Sequence, residues 1–133
     1  MLDVSPDLLQ AARVLLTLGA VFGGLGVAAG AFGAHGLENA VTPERLAVFK
    51  TGVLYHLLHT LALLFIGILL LQGLDVRLAG WLFVGGIVVF SGSLYALVLA
   101  DIPILGAITP IGGVALIAGW ATLAWRVWGS TSV

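Results

Sequence analysis

The chain has no cysteine and very little charge. Without cysteine there are no disulfides, no thiolate nucleophile and no Cys-ligated metal, and the redox compartment leaves no mark. Asp, Glu, Lys and Arg make up 8% of the 133 residues, where soluble domains spend about a quarter on charge. So few charges could not cover a surface facing water. Five cations against six anions give a formal net charge of -1, which supplies no basic field and argues against nucleic acid as a partner. Nucleophile-elbow (GxSxG) and metalloprotease (HExxH) patterns are also missing, so the familiar motif-borne hydrolase chemistries find no support. The balance is against an enzyme.

What the chain does have is apolar length. All the charged side chains fall outside four blocks, at 14–34, 51–72, 78–100 and 102–125, and the only groups inside them that ionise near neutral pH are His56 and His59. A bilayer core of about 30 Å needs roughly 20 apolar residues in a helix rising about 1.5 Å each. The prediction is therefore an all-α fold, an integral membrane bundle of four transmembrane helices in up-down-up-down order. We expect one membrane domain over 1–133, with helices near 8–34, 43–72, 78–100 and 104–127.

Local signals refine this. Ser5-Pro6-Asp7 and Thr42-Pro43-Glu44 each read as a helix start: a hydroxyl cap, proline at the first helical position, then an acid against the dipole. Small residues near Ala29–Ala34 loosely resemble a signal-peptide cleavage site. The acids Asp3 and Asp7, with only Arg13 as cation, and the length of the block favour a retained helix. Asp101-Ile102-Pro103 separates the last two helices. Thr109-Pro110 predicts that the fourth is kinked or starts late. With four spans both termini share a side, which carries Arg13, Arg77 and Arg126 against Arg45 and Lys50 opposite. Counting cations places the termini in the cytoplasm, with the protein in the cell (inner) membrane.

Gly19, Gly23, Gly26, Gly30 and Gly33 recur at alternating steps of four and three, which lays them along one face of the first helix. Gly112 and Gly119 form a weaker version in the fourth. In lipid, helices associate through close backbone approach, so both series read as packing surfaces, within the bundle or between copies.

Because helix direction alternates, the end of helix one, the start of two, the end of three and the start of four meet at the face opposite the termini. That face collects His35, then Tyr55, His56 and His59, then Ser91, Ser93, Tyr95 and Asp101, and finally Thr109. Polar groups inside a membrane turn toward the bundle interior or a hydrated cavity. One reading is interhelical hydrogen bonding. Another is a pocket for a ligand, ion or proton relay. No cofactor is predicted; the sharper alternative is a metal or haem held through His35, His56 and His59.

Gly30-Ala31-Phe32-Gly33-Ala34-His35-Gly36-Leu37, Phe49-Lys50-Thr51-Gly52-Val53 with Tyr55 and His59, Phe90-Ser91-Gly92-Ser93-Leu94-Tyr95 and Gly106-Ala107-Ile108-Thr109-Pro110 follow one another in order, closing with Gly119-Trp120. This set resembles the domain-of-unknown-function 423 family across nearly the whole chain; His56 stands where that pattern has Gln. The resemblance implies a small multi-pass membrane protein and no assigned activity. Two functional classes remain: a structural or accessory protein, as a homo-oligomer or in a larger membrane complex, and a binder or conductor of a small ligand, ion or proton. A dry interior favours the first; a hydrated cavity lined by His35, His59 and Tyr95 favours the second.

Overall fold

The computed structural model describes residues 4–130. Among them are four α-helices: α1 (Pro6–His35), α2 (Pro43–Leu71), α3 (Arg77–Ala100) and α4 (Thr109–Ser130). A 3-10 turn, Pro103–Ala107, leads into α4. No strand occurs among the described residues. All four helical segments are long and apolar enough to cross a membrane.

Each boundary has a local cause. The Ser5 hydroxyl accepts from Leu8 N–H at 3.4 Å and the Thr42 hydroxyl from Arg45 N–H at 3.3 Å, each satisfying a donor that the helix start leaves free. At the end of α2, Gly73 takes φ +84°. Its N–H bonds the Leu70 carbonyl while Leu74 N–H bonds that of Leu69, the paired closure that glycine's left-handed backbone permits. Asp101 closes α3 in the same region at φ 54°, a conformation Asp tolerates better than most residues. The fourth helix, expected from residue 104, begins at Thr109 instead. Pro103 starts a 3-10 turn, and Pro110 then falls in the first turn of α4, where its missing N–H would have had no partner anyway.

The helices pack in chain order: α1 against α2, α2 against α3, α3 against α4, with α2 and α3 central. Glycines set the separations. The five-glycine face of α1 looks onto α2: a Cβ at Gly19 would lie 2.6 Å from Leu64, at Gly26 2.5 Å from Leu57, and at Gly33 3.0 Å from the Phe49 ring. Gly23 and Gly30 face Thr60 and Val53 less tightly. Between α3 and α4 the approach is closer still, since a Cβ at Gly112 would collide with the backbone of Phe90. A Cβ at Gly119 would sit 2.6 Å from the Phe83 ring.

The interior is layered. An apolar cluster of Leu15, Leu63, Ile66, Leu70, Ala79, Phe83 and Leu123 fills the half nearer the termini. A smaller one, around Leu37, Phe49 and Val98, closes the opposite end. Between them lie the buried polar residues His56, His59, Thr60, Ser91 and Ser93.

Candidate functional site

The polar belt resolves into separate pairs, each crossing a helix interface. His59 lies about midway along α2. Its Nε2 is 3.0 Å from Trp120 Nε1 on α4, and its Nδ1 is 2.8 Å from the Tyr55 carbonyl one turn back. An indole nitrogen can only donate and a carbonyl can only accept. The ring is therefore the neutral tautomer with its proton on Nδ1, donating to Tyr55 and accepting from Trp120. Both nitrogens are in use. Tyr55 stacks on the imidazole at 14° between planes, and Phe83 and Trp120 meet it edge-on.

His56, three residues earlier, turns the other way. Its Nδ1 is 2.9 Å from the Tyr95 hydroxyl on α3, and the Phe22 ring of α1 meets it edge-on at 5.9 Å. The remaining pairs involve α3. The Ser91 hydroxyl donates to the Gly52 carbonyl of α2 at 2.7 Å, and Ser93 shares a 2.7 Å hydrogen bond with Thr109 of α4. Hydrogen bonds of this kind between membrane helices contribute about 0.6 kcal/mol each.

Two residues of the predicted set lie apart. His35 is exposed at the end of α1. Asp101 forms an exposed ion pair with Arg45, tying the end of α3 to the start of α2. His35 thus stands apart from His59, which pairs with Trp120, and from Tyr95, which pairs with His56. As for the His35, His56 and His59 set weighed as metal or haem ligands, no cluster of three or more His, Asp or Glu suited to a metal occurs among the described residues.

The polar set read from the sequence leaves out Thr60, and Trp120 enters there only as part of the family resemblance. Trp120 carried a usable signal, because tryptophan normally sits at the membrane interface; one placed near mid-helix brings an N–H that needs an acceptor. Thr60 offered no comparable sign. Around the His59–Trp120 pair, Tyr55, Phe90, Gly113, Leu116 and Ile117 complete a crevice of about 370 Å³ between α2 and α4. At the opposite face Asp75 receives Arg77 Nε and Nη2 at 2.8 and 2.7 Å, and Arg126 lies 3.6 Å away. The Arg77 hydrogen bond holds the Asp75 carboxyl below its ordinary pKa, against the opposing effect of burial.

Four apolar helices joined in the membrane by glycine contacts and paired polar side chains define a small four-helix integral membrane protein. The chain belongs to the family described as protein of unknown function (DUF423), whose model matches residues 29–113. It is 51% identical over 111 residues to the UPF0382 membrane protein YwdK of Bacillus subtilis, covering 81% of this chain and 90% of that one. To the UPF0382 membrane protein SSP2132 of Staphylococcus saprophyticus it is 49% identical over 112 residues, covering 84% and 93%. No solved structure matches it.

Proposed function

We propose that the protein is a structural or accessory component of the cell membrane, assembling with itself or with a larger membrane complex, with both termini in the cytoplasm. The observation that carries this reading is the pairwise use of the belt: His59 with Trp120, His56 with Tyr95, Ser91 with Gly52 and Ser93 with Thr109. Polar groups matched to one another hold helices in register; a conducting path needs them matched to a permeating species. The apolar cluster around Leu63, Ile66 and Leu70 also separates the polar belt from the terminal face. Arg13, Arg77 and Arg126 on the terminal side support the orientation. The outer faces of α1 and α4, with Val27 65% and Ile117 70% exposed, are where a neighbouring membrane helix has room to dock.

A photo-crosslinking residue at Val27 or Ile117, activated in native membranes, tests this. A discrete protein adduct from at least one position is expected. Adducts to lipid alone from both, under conditions where a buried control position reacts within the chain, would overturn the reading. The crevice beside His59 and Trp120 favours a second reading, a binder of a small apolar ligand. Its test is a ligand-dependent change in the Trp120 indole N–H resonance.

A further inference from the structure

We propose that the exposed face of α1 holds one phospholipid of net negative charge, with its phosphate at Arg13 and Gln10 and an acyl chain in the groove between α1 and α2. The charges point to the headgroup. Arg45 pairs with Asp101, while Arg77 and Arg126 share Asp75. The Arg13 side chain has no ion pair among the described residues, and Asp7, the nearest described acid on its own helix, acts on Arg77. Lys50, the other cation without an ion pair, stands at the opposite face.

Arg13 borders the first uncharged block, and two recesses meet at it. One, of about 430 Å³, is lined with Leu9 and Gln10 on the side of the helix start. The other, of about 290 Å³, is lined with Val14, Thr17 and Leu18 on the membrane side. The Gln10 amide is one turn back from Arg13 and has no hydrogen bond among the described residues. Amide N–H and guanidinium groups donate, and phosphate oxygens accept, most strongly from a guanidinium.

Gln10, Arg13, Thr17, Ala20 and Gly24 are all exposed and follow at alternate steps of three and four, so they share one face of α1. Deeper in the membrane that face borders an apolar groove of about 450 Å³, lined by Ala20, Gly23 and Gly24 of α1 and by Leu57, Leu61 and Leu64 of α2. A Cβ at Gly24 would meet nothing within 4 Å, so the groove is open there. At about 1.5 Å per residue, Ala20 and Gly24 lie about 10 and 16 Å along the helix from Arg13. Half a hydrocarbon core is about 15 Å thick, so one acyl chain hanging from a phosphate at Arg13 reaches the groove.

A neighbouring helix could cover the groove but would leave the guanidinium without an anion; an anionic lipid matches both. A zwitterionic lipid carries its own cation beside the phosphate, whereas a neutral polar head leaves the phosphate charge to Arg13. The site does not rest on the assembly proposed above, since Ile117 of α4 stays exposed to a neighbouring helix.

The full chain, taken from nanodiscs of equal phosphatidylglycerol and phosphatidylcholine into native mass spectrometry, reports which lipid it keeps. One phosphatidylglycerol per chain is expected. Arg13→Gln should weaken its retention about fivefold and erase the preference over phosphatidylcholine, while Lys50→Gln should change neither. Gly24→Leu fills open space, so it should keep the fold, checked by circular dichroism, and lose the lipid. No preference in the parent, or equal losses from Arg13→Gln and Lys50→Gln, would overturn the proposal. So would a folded Gly24→Leu variant that keeps its phosphatidylglycerol, because a phosphate held without its chain is indifferent to the groove. A lipid-free dimer would give the groove to a second copy and overturn it as well.

Discussion

Gly112→Ala is the substitution that this packing should tolerate least. The added methyl would collide with the Phe90 backbone, whose Cα would stand 2.7 Å away, and ordinary contact begins near 3.4 Å. No rotamer change relieves a clash with main chain, so α3 and α4 must separate by about 0.7 Å or more. Overpacking of this kind costs about 1–3 kcal/mol. The Ser93–Thr109 hydrogen bond, at 2.7 Å and one turn away on both helices, would stretch as well and forfeit up to about 0.6 kcal/mol. We expect a loss of about 2–3 kcal/mol. Gly85→Ala is the control: nothing lies within 4 Å of its Cβ, and alanine's better helix propensity favours the variant by up to about 1 kcal/mol. Gly26→Ala should fall between them, because its neighbour is the movable end of Leu57. Unfolding in mixed micelles of graded denaturing-detergent content, followed by tryptophan fluorescence, gives the three values. A Gly112→Ala variant within about 0.5 kcal/mol of the parent, a change typical of a neutral surface site, would refute the reasoning.

Three other outcomes follow from the geometry. Trp120→Phe removes the donor to His59 Nε2; it should lower stability by about 0.6–1.5 kcal/mol and shift the His59 Nε2 resonance in nitrogen-15 spectra. Asp75 has its pKa depressed by Arg77, so its contribution to stability is present above the unfolded carboxylate value of about 3.9 and is lost as pH falls through the lower folded value. Asp75→Asn should remove that component of the acid sensitivity in thermal melts taken from about pH 6 downward through the ordinary carboxylate range. Cysteines introduced at Ser5, Asn39, Asp75 and Ser130 should label with Asn39 on the side opposite the other three, and any other pattern breaks the up-down-up-down order.

Much of the architecture is written in one dimension. Lipid contact requires uninterrupted apolar length, and uncharged blocks with Ser5-Pro6-Asp7 and Thr42-Pro43-Glu44 before two of them specify four helices and where α1 and α2 begin. The start of α4 was less legible, because Thr109-Pro110 is compatible with a kink or with a late start. Only the path of the chain through the 3-10 turn selects the second.

The candidate site is legible only as a list. Helix alternation brings His56, His59, Ser91, Ser93, Tyr95 and Thr109 to one depth, since depth depends on position along the chain alone. Which partner each side chain takes depends on rotation about the helix axis and on distances between helices, quantities that arise only when all four have packed. His56 and His59 are three residues apart, yet one faces α1 and α3 and the other α3 and α4. The regular stripe on α1 marks that helix as the tightly packed one, whereas the tightest main-chain approach is at Gly112, in a series that looks weaker. Periodicity tells which residues share a face. How near that face comes to its neighbour is fixed by every other side chain in the interface, and so belongs to the tertiary structure.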